Sequence, residues 1–382
     1  VKRIGAAIGA AWALWLAAPA IANEAPVPDD IPIALLVDLS NGQTLYAREA
    51  DRRFVPASVT KVMTAYTAFA LIEAGELRLD MPFLYSQALE DEWYNEGSTM
   101  FLRAGERPTV AQLLLGVTTV SGNDASVALA VAATGSLDQW LALMNANAQA
   151  LGMRNTHFGS ANGFPDGGQT YTTAHDLVLL GRATVQEHEA LYRRFYGHRG
   201  LRWGDIAQDN HDPVTGRVAG ADGLKTGYTN EAGFNFLGSA ERDGRRLMMV
   251  LAGAPTEPMR DEAARAFLEW GFANFRQQRL FAGGTRVGLA QVQDGERREV
   301  GLRLPEDFAI ALPEGVGEGD YTIDIAYRGP IMAPFAEGDI VARLRLAIDG
   351  EIVLEAPLAA AESVERAGPL ERIANAFAGW LG

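Results

Sequence analysis

Apolar residues recur along this chain in more than one rhythm, and the changes of rhythm mark its parts. Short apolar runs at Ile33–Val37 and Thr44–Tyr46 flank Asn41-Gly42, a pair suited to a two-residue turn with positive φ, so a β-hairpin is predicted. The apolar run from Val62 to Leu71 predicts a helix. Residues 109–151 read as successive helices, with apolar Leu113, Leu114, Val117, Val127, Leu129 and Val131 and breaks at Gly122 and Gly135. Phe234–Ala240 and Leu247–Ala252 predict strands joined through Asp243-Gly244. Met259–Phe275 then predicts a helix with Ala263, Phe267, Trp270 and Phe272 as core positions. Hairpins at both ends with helices inserted between them point to an α+β domain around an antiparallel sheet, over residues 26–275.

Past Gln277 the rhythm becomes one of short alternating segments. Arg286–Leu289, Glu299–Leu304, Tyr321–Tyr327, Val341–Ile348 and Ile352–Leu354 are separated by turns such as Asp294-Gly295 and Asp349-Gly350. That pattern predicts a small all-β sandwich over residues 276–360, a spacer or interaction module without a nucleophile and base of its own. The last segment, 363–382, is expected to be an amphipathic helix entered at Pro369. Leu370, Ile373, Ala374, Phe377, Trp380 and Leu381 fall within an arc of roughly 120°. From Pro369 to Gly382 such a helix spans only ~21 Å, short of a ~30 Å hydrocarbon core, so it suits the surface of a membrane and not its crossing. At the other end, Lys2 and Arg3, an apolar stretch from Ile4 to Ala18 and Ala20-Ile21-Ala22 read as a secretory leader over residues 1–22.

Composition then narrows the chemistry. The 382 residues, 48% hydrophobic and 21% charged, can bury a proper core in each of two or three domains. There is no cysteine, which excludes disulfides, thiol catalysis and cysteine metal sites. Loss of the leader removes Lys2 and Arg3 and no acid, moving the net charge from −15 to −17. So acidic a chain is a poor binder of nucleic acid. Of the 33 basic residues only Lys2, Lys61 and Lys225 are lysine. Arginine stays charged in proteins, whereas a buried lysine can lose its proton and act as a base.

Lys61 closes Ser58-Val59-Thr60-Lys61. If the helix begins there, Ser58 lies in its first turn and Lys61 follows one turn later on the same face. An amine so placed can take the serine proton, provided its surroundings keep it neutral. Alone, the spacing is explained as well by an N-cap serine and a surface lysine. Two more stretches carry matching chemistry: Ser121-Gly122-Asn123 at a helix break, and Lys225-Thr226-Gly227 before a strand. The first could present a hydroxyl and an amide to a cleft; the second could bind a substrate carboxylate beside an edge strand.

Ser-x-x-Lys, Ser-x-Asn and Lys-Thr-Gly, in that order, form the pattern of penicillin-binding proteins and serine β-lactamases. Pro56-Ala57-Ser58-Val59-Thr60-Lys61, Ser121-Gly122-Asn123-Asp124-Ala125 and Asp222-Gly223-Leu224-Lys225-Thr226-Gly227-Tyr228-Thr229 resemble the low-molecular-mass D-alanyl-D-alanine carboxypeptidases. Asn162-Gly163, Tyr171-Thr172-Thr173-Ala174 and Ala232-Gly233-Phe234 extend the likeness, from about Pro32 to Phe275. The resemblance implies a penicillin-binding/β-lactamase-like catalytic domain that takes the terminal D-alanine from a peptidoglycan stem pentapeptide through an acyl-enzyme. It implies Ser58 as nucleophile, Lys61 as base and Ser121 as proton relay to the leaving amine. Asn123 would hold Lys61 and the substrate amide, while Lys225 and Thr226 would bind the terminal carboxylate. Gly227 closes that motif, the backbone N–H groups of Ser58 and Tyr228 would form the oxyanion hole, and Arg260 would stand near the carboxylate. No cofactor or metal is implied. The expected partners are the stem peptide, β-lactam antibiotics as covalent inhibitors and a membrane surface, at the periplasmic face of the inner membrane.

Tyr228 departs from members with histidine there, and Asn210-His211-Asp212 departs from Asn-x-Asn. Other readings are a β-lactamase or D,D-endopeptidase of the same superfamily, or a non-enzymatic peptidoglycan-binding scaffold. A pure binder needs no deprotonatable lysine. The five histidines stand beside no Gly-x-Ser-x-Gly elbow, and His188-Glu189 lacks a second histidine at zinc spacing.

Overall fold

The computed structural model describes residues 24–368 in two compact units. The expected leader and the expected helix from Pro369 on lie outside the described residues. Residues 363–368, placed in that helix by the sequence pattern, are not helical: Val364 and Arg366 form β-bridges to Phe335 and Gly295.

The first unit comprises residues 24–40 and 45–274. Its sheet runs in the order β2-β1-β7-β6-β5, with β1 Ile33–Asp38, β2 Gln43–Arg48, β5 Ala221–Thr229, β6 Gly233–Arg242 and β7 Arg245–Ala254. The pairs β1/β7, β7/β6 and β6/β5 are antiparallel. All six residues of β1 are buried, so both faces of the sheet are covered. Two glycines show how. Gly181, in α6 (Ala174–Gln186), leaves room for Met248, while Gly271, in α8 (Glu257–Ala273), lies against Leu36 and Leu247. Leu247 and Met248 are successive strand residues and point to opposite faces, so α6 and α8 sandwich the sheet.

The helices between β2 and β5 are α1 Lys61–Glu73, α2 Gln87–Trp93, α3 Val110–Thr119, α4 Asn123–Thr134, α5 Leu137–Ala150, α6 and α7 Glu189–Phe195. A small hairpin, β3 Gly200–Trp203 with β4 Ile206–Asp209, follows α7. The expected breaks at Gly122 and Gly135 separate α3, α4 and α5, and Gly135 caps α4 at φ 81°. Helix α1 is buried continuously from Lys61 to Phe69 and packs against α3, α4, α5 and α6. A helix apolar all round belongs in a core, and this one carries a lysine into it. Helices α2, α6 and α7 were not expected from the pattern. Phe272 is no core residue either: it is half-buried under Arg242, whose guanidinium lies 4.2 Å from the ring.

The second unit comprises residues 41–44 and 275–368. Strands β8 Phe275–Phe281 and β11 Phe308–Pro313 form one ladder. A six-stranded sheet in the order β12-β14-β15-β10-β9-β13 forms the other layer. Its strands are β9 Arg286–Gln293, β10 Glu299–Arg303, β12 Tyr321–Ala326, β13 Ile331–Met332, β14 Ile340–Ile348 and β15 Glu351–Ala360. Phe308, Ile310 and Leu312 from the ladder share a core with Val300, Leu302, Leu344, Leu346 and Leu358 from the sheet. The all-β character is as expected, with β8, β11 and β13 added. Among the described residues no single helix is long and apolar enough to cross a membrane.

Candidate active site

Ser58 lies in a 3-10 turn, Ala57–Thr60, that runs directly into α1 at Lys61. The expected first turn of an α-helix is therefore a tighter turn, entered through Ala57 at φ 50°. Left-handed backbone at a residue with a Cβ costs on the order of 1–2 kcal/mol and persists where packing imposes it. Here Gly163, at φ 75°, presses against the Ala57 carbonyl so closely that a Cβ would fall on the oxygen. Three residues beyond Ser58, Lys61 is 1% exposed. Its Nζ lies 2.9 Å from Ser58 Oγ, 2.8 Å from Asn123 Oδ1 and 2.6 Å from the Asn162 carbonyl. The loop bearing Asn162 is fixed from the same helix, because Thr64 donates to the Ala161 carbonyl at 2.5 Å.

The second motif turns the corner between α3 and α4. Ser121 takes φ 61° and lines the same cavity as Ser58 and Asn123. Asn123 spends both ends of its amide: Oδ1 accepts from Lys61, and Nδ2 donates to the Glu96 carbonyl at 2.8 Å. Gly122 is demanded by space, since a Cβ there would stand 2.9 Å from Asp124 Oδ1 and 3.3 Å from Met100 N. Asp124 is buried and accepts three backbone N–H groups, from Met100, Leu102 and Ala125. It ties the loop ahead of α3 to the start of α4.

The third motif forms the edge strand β5. Thr226, Gly227 and Tyr228 line a cavity of about 540 Å³ together with Ser58, Ser121 and Asn123. A Cβ on Gly227 would stand 3.1 Å from Ser58 N and 2.5 Å from the Pro56 carbonyl, so only glycine lets β5 approach the turn. Lys225 is buried beside this wall, its Nζ donating to the Thr226 carbonyl at 3.1 Å. Tyr228 is 51% exposed and stacks on Phe234 at 4.1 Å between centroids. Arg260, from α8, reaches the cavity fully buried; it donates to Asp261 at 2.7 Å, Glu257 at 3.0 Å and the Asn235 carbonyl at 3.4 Å. It is ion-paired, buried and in the cavity wall.

Two buried lysines set the electrostatics. Burial holds Lys61 well below the ordinary lysine range, the charge of Lys225 adds to this, and Asp124 opposes it. Lys225 is pulled down to about 7, first by burial and then by Arg260, against the pull of Asp212. Burial is also what pushes the Asp124 carboxyl up, against its three backbone N–H bonds and Lys61. A neutral Lys61 has two N–H groups and one lone pair. With the N–H groups on Asn123 Oδ1 and Asn162 O, the lone pair is left facing the Ser58 hydroxyl.

The three motifs, dispersed over more than 160 residues of sequence, thus surround one serine. The sequence profile described as D-alanyl-D-alanine carboxypeptidase matches residues 24–256. The chain belongs to that family. A second profile, the C-terminal domain of penicillin-binding protein 5, matches residues 275–366. Among relatives of this carboxypeptidase family, DacD of Salmonella typhimurium is 33% identical over 95% of this chain and 94% of that protein. Among solved structures, penicillin binding protein 5 from Haemophilus influenzae superposes with a TM-score of 0.77 at 29% identity, covering 88% of this chain and 98% of that one. Penicillin-binding protein D2 from Listeria monocytogenes, in its ampicillin-bound form, gives 0.57 at 28%, covering 64% of this chain and 97% of that one.

Three contributors escaped the sequence reading of this carboxypeptidase site. The Asn162 carbonyl is a main-chain group, and the side-chain code does not reveal its role. Asp124 was quoted only as part of a motif. Phe164, 37% exposed in the cavity wall and edge-on to Trp93 at 5.5 Å, had no spacing to mark it.

Proposed function

We propose that this serine D-alanyl-D-alanine carboxypeptidase works by attack of Ser58 Oγ on the carbonyl between the two terminal D-alanines of a peptidoglycan stem pentapeptide. The observation that carries the reading is Lys61 Nζ, buried and within 2.9 Å of Ser58 Oγ with both its other partners carbonyl oxygens. Lys61 takes the hydroxyl proton as the Oγ–C bond forms. The negative charge moves to the carbonyl oxygen, where the backbone N–H groups of Ser58 and Tyr228 receive it, each worth about 3 kcal/mol. Ser121 relays a proton to the departing amine, the C–N bond breaks, and free D-alanine leaves an ester on Ser58. Water then attacks that ester and regenerates the serine. Lys225 and Thr226 hold the terminal carboxylate, with Arg260 adding positive charge behind them. A carboxylate at that end favours the charged form of Lys225, which in turn favours the neutral form of Lys61. A β-lactam enters as an acylating inhibitor, as the ampicillin-bound Listeria structure supports for this family.

The test compares purified protein with Ser58→Ala on a stem pentapeptide and on penicillin. Release of D-alanine and a long-lived penicillin adduct, both lost in the variant, are expected. Rapid penicillin turnover without D-alanine release would make the protein a β-lactamase instead.

We also propose that the enzyme acts in the periplasm, held to the outer face of the inner membrane by residues 369–382. Support comes from sequence alone: the leader-like stretch before residue 23 and the apolar arc containing Phe377 and Trp380. Fractionation of cells should find the protein with membranes on the periplasmic side. A cytoplasmic, soluble pool would contradict both parts.

A further inference from the structure

The ladder between β5 and β6 carries one residue too many, and that residue lies just ahead of the Lys225 motif. Ala221 pairs with Ala240 and Gly223 with Ser239, so Asp222 has no partner on β6. Such a bulge bends its strand and re-aims nearby side chains. Beyond it the pairing is regular: Lys225 lies opposite Leu237, Thr226 opposite Phe236 and Gly227 opposite Asn235. That register sets Gly227 against Ser58 N. If Asp222 took the place of Gly223 opposite Ser239, every later residue of β5 would move by one position, ~3.3 Å, and its side chain would turn to the other face.

Side chains from two other elements hold Asp222 where it is. Arg246 lies two strands away, on β7 opposite Glu241 of β6. Its guanidinium crosses β6: Nη1 donates to Ser239 Oγ at 2.7 Å and reaches both carboxylate oxygens of Asp222, at 2.8 and 3.0 Å. Nη2 donates to Glu241. From α7, the Tyr192 hydroxyl donates to the main-chain carbonyl of Asp222 at 3.1 Å. The Arg246 side chain is only 11% exposed, whereas the neighbouring Arg242–Glu269 pair lies further out, at 26% and 52%. An exposed pair is worth ~0–1 kcal/mol, but taking one partner from a buried pair leaves a charge without compensation. Arg246 stands outside the walls of the active-site cavity, so any effect on the reaction runs through β5.

We propose that Arg246 is a positioning residue for acylation: by holding Asp222 in the bulge it fixes the register of β5, and so places Lys225 and Thr226 for the terminal carboxylate. The proposal rests on the carboxypeptidase reading, which gives those two residues the carboxylate.

Two stem pentapeptides separate positioning from stability alone, one ending in the free carboxylate and one in the carboxamide. Wild-type full chain should prefer the acid. Arg246→Met should lower kcat/KM for the acid by about 10²-fold, the usual cost of a misplacement near 1 Å. The amide, which makes no charged contact there, should lose less. The acid-over-amide preference should therefore fall about tenfold, the worth of one charge-assisted hydrogen bond. Asp222→Asn keeps the side-chain shape and one acceptor, so it should fold even where Arg246→Met does not, and show the same change at smaller size. Glu241→Gln loosens Arg246 from β6 alone and should keep wild-type rates on both peptides. Equal losses on the two peptides, or an unchanged preference in Asp222→Asn, would leave the arginine a structural residue and overturn the proposal. A wild type that cleaves neither peptide would overturn the carboxypeptidase reading, and the proposal with it.

Discussion

One nitrogen atom, Lys61 Nζ, meets a hydroxyl, a side-chain amide and a main-chain carbonyl, brought to it across 3, 62 and 101 residues of sequence. Two partners fix its direction, and burial fixes its protonation. Lys61→Arg keeps the charge and cannot give it up, so the acylation rate constant for penicillin should fall by at least about 10²–10⁴, the usual worth of a positioned base. Stopped-flow acylation at near wild-type rate would remove Lys61 from the role. The same burial leaves a mark on stability. Lys225 titrates near 7 in the fold and near 10.5 when unfolded, so between those values the unfolded chain binds more protons. Stability should therefore rise with pH across that window, by at most ~1.4 kcal/mol per pH unit from this residue. Lys61 acts in the same direction. Burial raises Tyr66, Tyr85 and Tyr196, which oppose the trend only above the ordinary tyrosine range near pH 10. Lys225→Met should flatten the curve of melting temperature between pH 7 and 10; parallel curves for variant and wild type would refute the shift. At this scale much was legible. Arginine everywhere else made the lysines conspicuous, and their spacing to Ser58 and Thr226 gave the chemistry. The Asn162 carbonyl was not legible, because any residue type could have supplied it.

Elements meet at the nucleophile through glycines. Gly163 sits under the Ala57 carbonyl, Gly227 lets β5 lie against the turn, and Gly97 leaves 2.9 Å between a would-be Cβ and Asn123 Nδ2. None of the three carries chemistry, yet each sets where a reacting group stands. Gly163→Ala adds strain at φ 75° and displaces the turn bearing Ser58. Its kcat should fall about 10²-fold, since misplacement near 1 Å costs that much, while far-ultraviolet circular dichroism stays native. Unchanged kcat in a folded variant would show that the contact is not what positions Ser58. Pattern reading did well where an element is half-exposed or well punctuated, as with the β6–β7 hairpin at Asp243-Gly244. It missed α6, where His175, Asp176 and Thr184 are buried beside the apolar residues, so burial there does not follow residue type. The turn at Ala57 was likewise hidden, because its left-handed φ is imposed by Gly163 from more than a hundred residues away. Phe272 shows the opposite failure: a helix-periodic aromatic placed inside by pattern is held outside under Arg242.

For the whole molecule, domain order was readable because the two units use different rhythms, helix interleaved with sheet and then strand upon strand. The end of the second unit was less so, since Val364 and Arg366 bridge back to Phe335 and Gly295 in place of starting a helix. Beyond them, deletion of residues 369–382 should release the protein from membrane fractions and leave kcat/KM on a soluble pentapeptide unchanged. Persistent sedimentation with membranes would refute the anchor. The convergence of the three motifs is itself a whole-molecule property. The 3-10 turn and the start of α1 bring Ser58 and Lys61, the α3–α4 corner brings Ser121 and Asn123, and an edge strand brings Thr226 and Tyr228. Intact-protein mass spectrometry after exposure to penicillin tests that convergence most directly. The account predicts one penicillin per chain, mapped to the peptide containing Ser58 and absent from both Ser58→Ala and Lys61→Arg. An adduct on any other residue, or an undiminished adduct in either variant, would contradict it.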